Sequence, residues 1–232
     1  MKKSYGGPLL KKEIDSINLV IQNRKEPVTC IIGGSKISTK ISVITSLIEK
    51  VNNLIVVGAM ANNFFEYKNL TVGKSLVENN TKEIIKEIYK KAKENNCEII
   101  IPNDCMVGKS FEGKGENKNL DKIEDDEIIL DIGLNTVSSI NQIIDQSNTV
   151  LWNGPAGYFE NKNFAVGTKS IAENISKNTL ERSLISVVGG GDTLSAINQS
   201  KIKLSFSHLS TAGGAFLEYL EGKDLPGLSV LK

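Results

Sequence analysis

Arginine is almost absent from this 232-residue chain: of 28 basic residues, all but Arg24 and Arg182 are lysine. The planar guanidinium is the usual device for gripping phosphate or carboxylate with two parallel hydrogen bonds. These residues can supply that grip at two points at most. Histidine is scarcer still. With His208 alone, and neither a cysteine nor a second histidine beside it, a His-built metal site is disfavoured; with a single histidine and no nucleophile elbow, no Ser–His–Asp reading survives either. His208 is expected to be a packed or hydrogen-bonded residue. Cys30, Cys97 and Cys105 are too far apart for a disulfide framework or a zinc pattern, which points to a reducing, cytoplasmic setting. A net charge of +1 offers no global field for nucleic acid or an anionic membrane surface. No apolar run approaches the ~20 residues of a membrane helix, and the segment Met1 to Tyr5 has no signal-like apolar stretch.

What is present describes an ordinary globular chain, 40% hydrophobic and 24% charged, with length for one large domain or two small ones. Short apolar runs at 28–32, 54–57, 98–102, 128–131, 149–152 and 184–188 read as six strands, each followed by a loop and mostly by a helix. Between them Ile37, Ile41, Ile44, Leu47 and Ile48 recur at helical steps. Further helices are expected from Ala61, over 81–94, over 136–145 and over 215–220. Continuous Val/Ile/Leu strands separated by helices mean a parallel sheet covered on both faces. The expected fold is α/β, a three-layer, doubly wound, mostly parallel six-stranded sheet of Rossmann-like type. The polar stretch 109–126 is expected to be a surface excursion. In such sheets ligands bind beyond the carboxyl ends of the strands.

The strand-end loops carry the chemistry. After the first strand stands Gly33-Gly34-Ser35-Lys36-Ile37-Ser38-Thr39-Lys40. Its glycines allow close backbone approach, and the following helix would aim its N-terminal N–H groups at an anion. Lys36 and Lys40 are four apart, on one helical face, where like charges repel unless an anion lies between them; a solvated lysine pair is the alternative. After the fifth strand, Trp152-Asn153-Gly154-Pro155 leads to Glu160, either a tight turn or a sugar or base contact. After the sixth, Gly189-Gly190-Gly191-Asp192-Thr193 opens a short helix. There Asp192 is an N-cap or a magnesium ligand. Ser210-Thr211-Ala212-Gly213-Gly214 precedes the last helix and offers another anion site.

Two apparent phosphate loops fail. Gly73-Lys74-Ser75 and Gly108-Lys109-Ser110 have Lys68 and Asn103 where the leading glycine must stand. The dinucleotide fingerprint fails as well, because Leu194 occupies its third glycine position. That disfavours a nicotinamide-dependent enzyme.

Taken in order, these motifs resemble the C-terminal, nucleotide-binding half of phosphoglycerate kinases. The resemblance adds Gly58-Ala59-Met60-Ala61, Val72-Gly73-Lys74-Ser75-Leu76, Leu130-Asp131-Ile132-Gly133 and the closing stretch Leu220 to Gly227, and it runs from about Gly7 to the end. It implies that Lys36 and Lys40 contact the transferring phosphoryl group and the nucleotide phosphates. By the same resemblance Asp192, with Thr193 beside it, holds the Mg2+ of MgATP or MgADP, and Glu160, Asn153 and Pro155 face the ribose and phosphate side. Gly33, Gly58 and Gly133 would form the adenine slot, with Gly34 in the same phosphate-side loop. Backbone N–H groups at Gly190, Gly191 and Gly213 would receive phosphate oxygens, and with Lys36 they form the implied catalytic set.

Two departures bear on the site. Val57 and Ala59 stand where many members have glycine, narrowing the adenine space, and Ala212 replaces a glycine, which would cost roughly 1 kcal/mol if positive φ were required there.

The resemblance further implies a preceding domain that supplies arginines and a histidine for 3-phosphoglycerate, not found among these residues. Residues 1–22 are then an interdomain-type helix and the start of the domain, 23–221 the nucleotide-binding domain, and 222–232 a tail docking on the preceding domain. The expected state is a monomer or a pairing with a complementary N-terminal half, with little or no turnover by this chain alone. A non-catalytic nucleotide-binding or scaffold protein is the alternative.

Overall fold

The computed structural model describes residues 5–200 and 203–231. Its strands are β1 (Val28–Ile32), β2 (Asn53–Val56), β3 (Glu98–Ile100), β4 (Asp104–Gly108), β5 (Glu116–Asn119), β6 (Ile128–Ile132), β7 (Thr149–Asn153), β8 (Ile185–Gly189) and β9 (His208–Leu209). The helices are α1 (Pro8–Ile21), α2 (Ile41–Ile48), α3 (Ala61–Tyr67), α4 (Lys82–Glu94), α5 (Leu134–Gln146), α6 (Val166–Arg182), α7 (Gly191–Gln199), α8 (Gly214–Leu220) and α9 (Pro226–Ser229).

The main sheet has six parallel strands in the order β3-β2-β1-β7-β8-β9. All five residues of β1 and of β7 are buried, as a sheet covered on both faces requires. Side-chain alternation divides the core. Cys30, Ile32, Leu54, Val56, Leu151 and Val187 pack with α1, α2, α3, α4 and α8 on one face. Ile31, Ile55, Val150, Trp152 and Val188 pack with α5 and α6 on the other.

The sixth parallel strand is not the one the apolar runs indicate. Ile128–Ile132 leaves the main sheet and joins a three-stranded antiparallel sheet in the order β5-β4-β6. A short, mostly apolar run such as this one has the same composition in either setting, so periodicity cannot choose between them. The vacant place is taken by two-residue β9, whose polar flanks hide it. Part of the expected surface excursion is β5, the exposed edge of the small sheet.

Helix ends explain some of the asparagine. After α3, α4 and α6 the chain turns through Asn69, Asn96 and Ser183, with φ of 59°, 54° and 58°. Asparagine tolerates this left-handed conformation better than most residues and stands in for the usual glycine.

Candidate functional site

From β1 the chain builds outward on one side through β2 and β3, and then on the other through β7, β8 and β9. The order reverses between β1 and β7, the place where a crevice opens in sheets of this kind. Here the backbones meet almost without side chains. The Gly33 N–H donates to the Asn153 carbonyl at 2.8 Å, and a Cβ on Gly33 would lie 2.3 Å from the Pro155 oxygen. Gly154, at φ 104°, is equally close to Gly33.

A polar pocket of about 170 Å³ sits above these glycines, with Lys36, Lys40, Asn153, Gly190, Asp192 and Thr193 around it. Lys40 reaches inward, and its Nζ donates to the Gly33 carbonyl at 2.6 Å and to Asn153 Oδ1 at 2.8 Å. Burial lowers its pKa to about 8, against which the Cys30 thiol and the Asp192 carboxylate favour the charged form. Lys36 is exposed at the mouth. The two lysines do not stack on one helix face, because a 3-10 turn at Ser38–Lys40 delays the start of α2 to Ile41. That turn is held by Glu78, which accepts from the Ser38 N–H and hydroxyl.

Gly190, at φ 99°, is the N-cap of α7. Asp192 therefore lies inside the first turn, exposed and bordering both this pocket and a larger cleft. Thr193 is buried, and its hydroxyl accepts from the Gly154 N–H at 2.7 Å, tying α7 to the end of β7. Among the described residues no group of three or more His, Cys, Asp or Glu could hold a metal by itself. A lone exposed carboxylate beside an anion pocket fits Mg2+ that arrives bound to phosphates, since that ion keeps few protein ligands.

The larger cleft, about 530 Å³, continues from the polar pocket and shares Gly34, Ser35, Pro155 and Asp192 with it. Its walls are mainly apolar: Gly58, Ala59, Phe65 and Leu76 on one side, and Ile129, Leu130 and Ile132 of β6 on another. Phe111 and Tyr158, edge to face with ring centres 4.9 Å apart, form an outer rim. Glu160 and Lys74 are exposed at its edge. Asp131 is buried in its wall. Burial pushes its pKa up to about 7, against the N–H groups of Gly167, Ile132 and Val166, which favour the ionised form. The same burial pushes up the thiol of neighbouring Cys105.

Most of the expected site residues gather here: Gly33, Gly34, Lys36, Lys40, Asn153, Pro155, Gly190, Gly191, Asp192 and Thr193 border the polar pocket, with Gly58 and Glu160 on the larger cleft. Two do not. Gly133 borders neither cavity; it caps α5, and a Cβ there would lie 2.2 Å from the Asp104 side chain. Gly213, at φ 60°, caps α8 away from both cavities. The expected departures also resolve. Ala59 lines the large cleft, whereas Val57 is buried in the core under α5 and α6. Ala212 is not among the residues of positive φ, so it carries no strain, and it packs against the core.

Sequence reasoning gave no site role to Asp131, Phe111, Leu76 or Ile129, although Leu76 and Asp131 stand in its motifs. All but Leu76 come from the small antiparallel sheet or its hairpin, which has no sequence signature of its own. His208 is buried as expected, with its Nε2 2.8 Å from Glu13 Oε2, and Ser210 donates to the same carboxylate.

A phosphoglycerate kinase family model matches residues 1–223. The chain belongs to the phosphoglycerate kinase family. It is 42% identical over 231 residues to the phosphoglycerate kinase of Methylorubrum populi and 41% identical to that of Chelativorans sp.. Each alignment covers 99% of this chain but 58% of the relative, so the chain spans a little over half the length of the kinases it matches. The structure of phosphoglycerate kinase from Coxiella burnetii superposes with a TM-score of 0.91 at 39% identity, covering 98% of this chain and 59% of that one. The Pyrococcus horikoshii phosphoglycerate kinase superposes at 0.80 with 26% identity, covering 97% of this chain and 56% of that one.

Proposed function

We propose that this chain supplies the MgATP/MgADP-binding side of a phosphoglycerate kinase, which transfers phosphate between ATP and 3-phosphoglycerate to give ADP and 1,3-bisphosphoglycerate. One observation carries the reading: an apolar cleft large enough for adenosine opens directly onto a lysine-lined, glycine-floored pocket at the sheet's switch point. The polarity gradient of the cavity matches that of the ligand.

In this reading Ala59, Leu76 and the β6 wall take the base, Pro155 and Glu160 face the ribose, and Lys36, Lys40 and the amino end of α7 neutralise the phosphates. Asp192 would hold the magnesium, which screens phosphate charge. Phosphoryl transfer needs little beyond such positioning and charge neutralisation, consistent with a site lined by no histidine and by one cysteine, Cys105, whose thiol burial pushes up.

The acid substrate needs cations these residues do not provide. Arg24 donates to the Ile21 carbonyl at the end of α1, and Arg182 to Asn178 at the end of α6, and neither lines a cavity. Turnover is therefore assigned to an assembly in which a complementary N-terminal half meets residues 1–22 and 222–232, with residues 23–221 as the nucleotide domain. The glycolytic reaction places it in the cytoplasm. Among the described residues no helix is long and apolar enough to cross a membrane.

Calorimetric titration with MgADP, followed by a coupled assay with and without a separately made N-terminal half, tests the proposal. Binding alone, with turnover only in the mixture, supports it. Binding without turnover in either case favours a scaffold role, and no binding removes the reading.

A further inference from the structure

Among the described residues three carboxylates line the large cleft, and of these only Asp131 is buried, at 3% exposure. It is the penultimate residue of β6, and its two carboxylate oxygens bond in different directions, one within the strand and one beyond it. Its Oδ2 accepts from the Gly167 N–H at 2.8 Å and its Oδ1 from the Ile132 N–H at 2.9 Å. Helix α6 has no cap of its own, because its N-cap is Ala165 and its first turn contains no acid. Asp131 supplies the missing acceptor from β6.

The same carboxylate controls how closely the loop 154–165 approaches β6. A Cβ on Gly157 would lie 2.4 Å from Asp131 Oδ1, and one on Gly167 2.5 Å from it. These two glycines lie on either side of the segment that carries Tyr158 and Glu160, and the Tyr158 N–H donates to the Leu130 carbonyl at 2.6 Å. The two facing walls of the cleft, Ile129–Ile132 and Pro155–Glu160, are thus joined around one buried side chain.

We infer that Asp131 is a positioning residue for the adenosine end of the cleft: by bridging β6, Gly157 and the first turn of α6, it sets the separation of the base-facing wall, Ile129–Ile132, from the ribose-facing segment, Pro155–Glu160. The inference rests on the nucleotide reading above. Asparagine is isosteric but keeps only one acceptor oxygen and turns its NH2 toward one of two amides that need an acceptor, so the bridge between β6 and the first turn of α6 is broken while the phosphate pocket, built on β1, β7 and α7, is untouched.

The test is the affinity of wild-type chain and Asp131→Asn for adenosine, MgADP and magnesium pyrophosphate. Loss of a remote cap is expected to weaken adenosine and MgADP about tenfold, with pyrophosphate unchanged. Equal affinities in the folded variant, or equal losses for all three ligands, would overturn the assignment. Hydrogen exchange on the wild-type chain decides the matter if the variant does not fold. Adenosine is expected to slow exchange at Val166 and Gly167, and no slowing overturns it. Failure of wild-type chain to bind MgADP would instead remove the nucleotide reading, and this inference with it.

Discussion

Lys40 is where burial and function oppose each other most directly. Its ammonium is held by two neutral oxygens inside the polar pocket, and burial brings its pKa to about 8. The folded-state value lies below the unfolded one, so between them the unfolded chain binds more protons. Stability at this group therefore rises as pH increases from about 8 toward 10.5. An anionic phosphate prefers the charged form, so its binding draws the proton back. MgADP affinity is expected to fall as pH rises through about 8, with proton uptake on binding at that pH, measurable by calorimetry in buffers of different ionisation enthalpy. Lys40→Met should weaken MgADP binding yet raise the urea midpoint at pH 7.

Asp131 gives the reverse case. Its folded-state pKa, about 7, exceeds the ordinary aspartate value of 3.8. Between those values the folded chain holds the extra proton, so stability contributed here is present at low pH and lost as pH rises toward 7. Asp131→Asn should flatten the stability profile between pH 4 and 7, read by urea titration at each pH. Asp192, exposed at the junction of the cavities, should behave differently from both. Asp192→Asn is expected to weaken ADP binding in magnesium and to leave it nearly unchanged in chelator, which a paired titration would reveal. The glycine-rich motifs around these residues could be read directly, because they answer a local demand for close backbone approach. Asp131 could not, since the N–H it caps is 36 positions away.

Among the elements, the junction of β1 and β7 is the most constrained. Gly33→Ala would force a methyl into the Pro155 carbonyl, and overpacking of this kind costs about 1–3 kcal/mol. The expected result is a lower melting temperature together with loss of MgADP binding, because both cavities are built on this contact. A second joint links α1 to β9 through Glu13, His208 and Ser210. Glu13→Ala leaves buried polar partners unmet and should destabilise by about 1–3 kcal/mol in urea unfolding. Helices with a clear apolar period, such as α4, were legible within a residue or two. The β4–β5–β6 sheet was not, because β5 has no apolar face and the apolar run of β6 looks the same in a parallel or an antiparallel setting.

On the scale of the whole chain, the near absence of arginine and the position of the cavities point the same way. The lysine-lined polar pocket sits at the carboxyl ends of β1, β7 and β8, while both arginines are spent on helix ends. The sequence by itself determined the α/β class, the glycine-rich strand-end loops and the lysines and aspartate they carry. These follow from periodicity and from local backbone requirements that a short stretch expresses. Tertiary structure alone decided which strand completes the main sheet, that Gly133 and Gly213 stand outside the cavities, and that a buried aspartate joins the two walls of the cleft. Each of those outcomes depends on pairing or packing between residues far apart along the chain, where short-range pattern carries no information.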